Sequence, residues 1–194
     1  MKLIALCGAA GAGKDTVADM LPARKLAFAD ALYREVAEAW GVEQHVLRCR
    51  ETKETPTQRL SLMSSIEDEF FITDAMMAHC PYAPRSPRQI LQWWGDYRRA
   101  QDPDYFVKLT RIAAEWADYS GEHVVITDVR FPNEAALVRQ LGGQLWQIRR
   151  PGYGAGGTGH ASDTDGREFR PDVVLRVAPV PGSGIPTNSS SATT

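Results

Sequence analysis

The stretch Leu3-Ile-Ala-Leu-Cys-Gly8-Ala-Ala-Gly11-Ala-Gly13-Lys14-Asp15-Thr16 decides the fold. A short apolar run, Lys2–Cys7, reads as a buried strand and leads directly into glycines at the spacing of a phosphate-binding (Walker A) loop. A helical pattern follows from Thr16 to Leu21. Glycines let such a loop fold tightly with its N–H groups pointing inward, and the helix N-terminus behind it adds partial positive charge. The loop residues Gly8, Gly11, Ala12, Gly13, Lys14, Asp15 and Thr16 are therefore expected to hold the phosphates of ATP, with the Lys14 charge on the β- and γ-phosphates. The usual hydroxyl residue after the lysine is Asp15, with Thr16 one place later. Either Asp15 faces Mg2+ through water or Thr16 supplies the hydroxyl. A glycine-rich turn without a ligand is the bland alternative.

Outward from the loop, Lys25–Phe28 reads as a second strand and Asp30–Trp40 as a helix stopped by Gly41. Asp30 is either an N-cap or a residue that binds the acceptor, acting as a general base if that acceptor is a hydroxyl. Pro56–Ala78 reads as a mostly helical stretch on Leu60, Met63, Ile66, Phe70 and Ala75. Ser86-Pro87 has the chemistry of a helix start, for a helix running to about Arg99. Asp102-Pro103 carries the same signal for a helix reaching Tyr119.

Val124–Thr127 is the clearest interior strand, and it ends in Asp128, the Walker B arrangement in which a carboxylate holds a magnesium-bound water. The alternative is that Asp128 caps a turn. Arg130, two residues on, could clamp a phosphate or form a surface ion pair. Pro132–Leu141 reads as a helix stopped by Gly142-Gly143, with Gln144–Ile148 and Val173–Val177 as strands. The glycine-rich run Pro151–Gly159 reads as a loop, and 179–194 as a disordered tail. Strands alternating with helices predict an α/β fold with a parallel sheet, whose ligands bind beyond the carboxyl ends of its strands.

Arg85–Arg99 joins four arginines, Trp93, Trp94, Gln92 and Asp96 in about four helical turns. A nucleotide acceptor needs this mixture: arginine for phosphate, an aromatic platform for the base, and amides for its edge. Arg88, Gln92, Trp93, Trp94 and Arg98 are the candidates, with one of the two tryptophans expected in the core.

Composition narrows the class. A net charge of −2 over 194 residues disfavours wholesale wrapping of nucleic acid. No apolar run is long enough to span a bilayer, so no membrane is expected. Cys7, Cys49 and Cys80 match neither a metal spacing nor a disulfide framework, which suits a cytoplasmic location.

Taken together, GAAGAGKDTVADML at Gly8–Leu21, FADAL at Phe28–Leu32, SPRQILQWWG at Ser86–Gly95, VVITDVRFPNEA at Val124–Ala135, GGQLWQIRRPG at Gly142–Gly152 and HASD at His160–Asp163 resemble the phage deoxynucleoside monophosphate kinase family. The resemblance runs to about Arg176, and Lys14-Asp15 is a habit of that family. It implies a P-loop fold with a five-stranded parallel core, one domain over 1–178, an acceptor-binding helical insert at about 47–119, and a lid at about 149–170. Arg149 and Arg150 would then serve ATP from the lid, Arg130 the transferred phosphate, and His160 either the ligand or solvent. Where the family carries a lysine after the leucine of FADAL, this chain has Tyr33 and Arg34, and Arg34 is the candidate substitute.

The resemblance implies transfer from MgATP to a deoxynucleoside monophosphate, a small-molecule acceptor, by an enzyme that could be a homodimer. A second reading keeps the fold and phosphorylates the hydroxymethyl group of 5-hydroxymethyluracil in phage DNA, with Asp30 as base and a tryptophan on the base. A third is a nucleotide-binding switch without catalysis, which leaves the Arg85–Arg99 segment without a purpose.

Overall fold

The computed structural model describes residues 2–65, 69–152 and 169–177. The chain forms two compact units, Met1–Lys25 with Gly121–Thr194, and Leu26–Ser120. The expected tail at 179–194 and His160 lie outside the described residues.

The first unit is built on strands β1 (Leu3–Cys7), β2 (Arg24–Leu26), β3 (Val124–Ile126), β4 (Gln144–Arg149) and β5 (Val173–Arg176), with helices α1 (Lys14–Asp19) and α7 (Pro132–Gln140). The strands form one five-stranded parallel sheet in the order β2-β3-β1-β4-β5, an α/β fold of P-loop kinase type. β1 sits in the middle, with Leu3 opposite Val124 on one side and Cys7 opposite Gln147 on the other. Trp146 of β4 faces Val173 of β5. A central strand in a two-sided sheet is buried on both faces and needs no alternation. Leu3, Ala5, Leu6 and Cys7 are accordingly all buried. Leu6, Ala9, Ala12, Ala18, Val125 and Ile148 form one packed cluster beneath the glycine loop. The second strand begins one residue before the expected Lys25 and ends two before Phe28, which is buried at the foot of the following helix.

The second unit holds α2 (Ala29–Trp40), α3 (Gln44–Arg48), α4 (Glu69–Ala78), α5 (Pro87–Gln101) and α6 (Tyr105–Tyr119). It runs from Leu26 to Ser120. Its core gathers Leu32, Val36, Trp40, Leu47, Leu60, Leu62, Phe71, Ile90, Trp94 and Phe106. α2 stops where expected, at Gly41 in the left-handed conformation (φ 57°). Ser86 caps α5 with Pro87 at its first position, and a reciprocal bond with Gln89 completes the capping box.

Pro56–Ala78 is mostly helical, as the sequence suggests, but in pieces: 3-10 turns at Gln58–Leu60 and Leu62–Ser64 precede α4. Serine hydroxyls compete with the helix backbone. Ser64 Oγ donates to Gln58 O at 3.2 Å and Ser65 Oγ to Ala39 O at 3.2 Å, drawing the chain out of helical register. The helix expected from Asp102-Pro103 starts at Tyr105, because Asp102 is taken as the C-cap of α5. Its carboxylate accepts from Asp104 N at 3.0 Å and from Lys108 Nζ at 2.6 Å.

Candidate active site

The loop between β1 and α1 has the conformation that its glycines were expected to permit. Gly8, Gly11 and Gly13 have φ of 138°, 76° and 99°, all positive. Ala12 N donates back to Ala9 O at 3.2 Å, and Ala12 is buried, which fixes the turn from inside. Gly8 also lies against β4: a Cβ there would come within 2.4 Å of Ile148 O. Gly13 is the N-cap of α1, so Lys14, Asp15 and Thr16 make its first turn.

Lys14 reaches back over the loop, its Nζ donating to Gly8 O at 2.8 Å and Ala9 O at 3.0 Å. Burial holds its pKa below the ordinary lysine value, and the positive charge of Arg130 pushes the same way. Asp15, Asp128 and Cys7 act on it in the opposite sense. Lys14, Arg130, Asp15 and Asp128 therefore share one electrostatic neighbourhood, although Asp128 and Arg130 come from the far end of the sequence. Such a lysine holds its charge at some cost, which an incoming polyanion removes.

Asp128 and Arg130 owe their position to Val129. Val129 N continues the β1–β3 ladder by donating to Leu6 O at 3.1 Å, and its side chain is buried. Neighbours of a buried residue on extended chain project the other way. The turn into α7 is then held by a residue that the sequence reading did not single out. Glu134 is buried, and its Oε2 accepts from Arg130 N at 2.7 Å and Phe131 N at 3.1 Å. The available signal was a glutamate at the third position of a helix opened by proline, where it can reach back to free N–H groups. Glu134→Ala strands those two donors at about 1–3 kcal/mol each. The expected result is a lower melting temperature together with a kcat loss greater than that of Glu134→Gln, which keeps one acceptor oxygen. A kcat equal to wild type in both would remove Glu134 from the positioning role.

Asp15 and Thr16 are exposed on α1, and Asp128 is half-buried at the end of β3. Two carboxylates and a hydroxyl suit magnesium, which takes one or two protein oxygens and fills its octahedron with water and phosphate oxygens. Among the described residues there is no cluster of three or more His, Cys, Asp or Glu able to cage a metal. At the end of β4, Arg149 donates through Nε to the buried Gln147 Oε1 at 2.8 Å. Arg150 follows it, half-buried, and residues 153–168 of the expected lid are outside the described range.

In the second unit the expected acceptor residues separate into two groups. Trp94 belongs to the core, and Arg98 lies half-buried beside it. Trp94 is 1% exposed and packs against Trp40, Phe71 and Tyr97. Its Nε1 donates to Glu35 Oε2 at 2.9 Å, Arg98 Nε to the same oxygen at 3.0 Å, and Tyr105 OH to Glu35 Oε1 at 2.8 Å. Burial, then the bond to Glu35, raises the Tyr105 pKa above the ordinary phenol value. Glu35 is the centre of this network and was missed, since a glutamate one residue before a buried valine reads as surface.

Arg88, Gln92 and Trp93 stay on the accessible side of α5, each half-buried. Arg88 is ion-paired with Glu54. Trp93 stacks flat on His79, ring centres 4.0 Å apart and planes 6° from parallel, with the Arg85 guanidinium 5.2 Å from its ring centre. Asp30 is one residue inside α2 rather than at its cap. Its Oδ2 accepts from Ala27 N at 2.8 Å and its Oδ1 from Arg48 Nη2 at 2.8 Å. Arg34 is exposed. The charges beside Tyr33 come instead from Arg48, 4.1 Å above its ring, and Lys53, whose Nζ donates to the Tyr33 hydroxyl at 2.5 Å.

Among the described residues no helix is long and apolar enough to cross a membrane. No protein-family model matches the chain. The chain is similar to a protein of Acanthamoeba polyphaga mimivirus, provisionally named a deoxynucleotide monophosphate kinase, with 32% identity over 192 residues that cover 90% of this chain and 88% of the viral protein. A parallel five-stranded sheet, a glycine loop closed by Lys14, and likeness over nearly the full length of both proteins agree: the chain belongs to the deoxynucleotide monophosphate kinase family, a family of P-loop phosphotransferases.

Proposed function

We propose that the protein transfers the γ-phosphate of ATP, with magnesium, to the α-phosphate of a deoxynucleoside monophosphate. The observation that carries this reading is the grouping of Lys14, Arg130, Asp15 and Asp128 at the mouth of the positive-φ loop. The name of the mimivirus relative supports the acceptor class. In phosphoryl transfer the protein's part is positioning and charge stabilisation. Lys14 would exchange its two carbonyl partners for phosphate oxygens, and Arg130 would hold the phosphoryl group in transit. Asp15, Thr16 and Asp128 would hold magnesium, which supplies charge neutralisation. Arg149 and Arg150 lie at the end of β4, on the chain leading to the expected lid, and would complete the charge around ATP. Arg88, Gln92, Trp93 and Arg34 would serve the acceptor.

Asp30 separates this reading from transfer to a hydroxyl on DNA. A general base must present a free lone pair to the proton it takes. The oxygens of Asp30 are each held in place, one by a backbone N–H and one by Arg48, which suits a structural part at the start of α2 and supports an acceptor that is already anionic. Asp30→Asn is therefore expected to keep kcat within about tenfold, whereas loss of a general base costs about 10²–10⁴-fold. The test is a mass-resolved phosphotransfer assay with MgATP against all common ribo- and deoxynucleoside monophosphates, beside duplex DNA carrying 5-hydroxymethyluracil. Diphosphate products support the proposal and name the base. A phosphorylated base in DNA with the free nucleotides untouched would overturn it.

A further inference from the structure

Hydrogen-bond donors converge on Tyr33 with too few acceptors to receive them. Tyr33 lies on the same side of α2 as Asp30, and its half-buried ring packs against the core of the helical unit. Arg48 lies 4.1 Å from the ring centre, and Lys53 Nζ donates to the hydroxyl at 2.5 Å. The carboxylates closest to these cations are already engaged. Asp30 Oδ1 accepts from Arg48 Nη2, and Glu54 is ion-paired with Arg88. Among the described residues Lys53 meets no carboxylate, so a half-buried ammonium has a neutral phenol as its hydrogen-bond partner. A phenol oxygen that accepts from lysine still has its own proton to donate. Among the described residues nothing receives that proton.

The donors are also held in place. Lys53 O accepts from Arg88 N at 3.1 Å, one of the N–H groups that the first turn of α5 leaves free, and Thr55 N donates to Thr52 O at 2.9 Å. Lys53 is thus presented from a pinned turn, and pre-set donors lose little freedom when a ligand arrives. An anion with several oxygens satisfies such a set at once. A carboxylate brings a single charge. A phosphate monoester brings three terminal oxygens and about −1.5 to −2 charge, enough for the hydroxyl, the ammonium and the guanidinium together. We infer that Tyr33, Lys53 and Arg48 form the site at which the phosphate monoester of the acceptor docks. Asp30 offsets part of the Arg48 charge and holds it over the ring, so Lys53 carries the net positive charge of the site. That role rests on the proposed monophosphate kinase activity, and it falls to Lys53 and Arg48, which belong to no motif in the sequence.

The experiment is isothermal titration of the full chain, without ATP, with each common deoxynucleoside monophosphate and with its parent deoxynucleoside. Lys53→Met keeps the apolar stem and removes the charge, and Tyr33→Phe keeps the ring beneath Arg48 and removes the hydroxyl. For the monophosphate that the wild type binds best, Lys53→Met is expected to weaken binding about 10–100-fold and Tyr33→Phe about tenfold, the range for losing a hydrogen bond to a charged group. The parent deoxynucleoside has no phosphate, so the variants should bind it as the wild type does. In the double variant the losses should fall short of adding, because hydroxyl and ammonium act as a unit. Equal affinity of wild type and both single variants for the monophosphate overturns the inference. So does a loss shared equally by the deoxynucleoside, or a wild type that binds no monophosphate. Turnover separates the site from the activity. Diphosphate formation with binding indifferent to Lys53→Met removes the site and leaves the activity, whereas Lys53-dependent binding without turnover of any monophosphate keeps the phosphate site and removes the activity.

Discussion

Lys14→Ala is expected to lower the rate of phosphoryl transfer by about 10²–10³-fold or more while leaving the fold intact. The magnitude is that of deleting one pre-aimed charge from a water-poor site where negative charge builds up. The fold is expected to survive because the polar contacts of Lys14 are two bonds to Gly8 O and Ala9 O, which water can replace. Lys14→Arg sharpens the test. Burial and Arg130 set the Lys14 pKa below its ordinary value, so the wild type should lose activity as pH rises through that lowered pKa. An arginine does not titrate there, so its residual activity should lack that alkaline limb. Near-normal turnover by Lys14→Ala in a steady-state assay would dismantle the phosphate-loop assignment.

Gly8→Ala is expected to destabilise the protein by about 3 kcal/mol. Two costs add there. A side chain at φ 138° is strained by about 1–3 kcal/mol, and the new carbon would sit 2.4 Å from Ile148 O, a backbone atom that moves only with β4. For a chain of this size that corresponds to a melting temperature lower by about 6–12 °C. Gly142 supplies the control in the same unit: its φ is 69°, but nothing lies within 4 Å of an added Cβ. Gly142→Ala should therefore cost only about 1–2 kcal/mol, the left-handed penalty alone. Equal losses in the two variants, measured by thermal unfolding, would show that contact with β4 does not constrain the loop.

The features legible in the amino-acid sequence are those with local causes. The strand–glycine–lysine sequence, the apolar strand ending at Asp128 and the Ser86-Pro87 cap each depend on neighbours in the chain, and each is where it was expected. What escaped has its cause at a distance. Spacing put Trp93 and Trp94 on adjacent faces of one helix. Which face is inward depends on Trp40 and Phe71, far earlier in the chain. Glu35 sits between Arg34 and Val36 and acquires its importance only when Trp94, Arg98 and Tyr105 converge on it. Asp102 shows the opposite failure: its local signal is real, and its carboxylate does bond Asp104 N and Lys108 Nζ, but its backbone closes α5, so α6 begins only at Tyr105. The serines of residues 61–65 repeat that lesson. Their apolar neighbours kept a helical rhythm while their hydroxyls bonded elsewhere.

Because the sheet unit is assembled from two separated stretches, 1–25 and 121–194, while Leu26–Ser120 is continuous, the protein has an order of completion during synthesis. The helical unit can close as soon as its last helix has emerged from the ribosome. β1 and the glycine loop are made first, yet β1 must wait for β3 and then β4 before it has any partner, and Gly8 for Ile148. Long-range parallel pairing of this kind is the slow, late step of folding. The nascent chain therefore carries β1 and an unformed glycine loop through the synthesis of the whole helical unit, and the loop takes its shape only once β3 and β4 have been made.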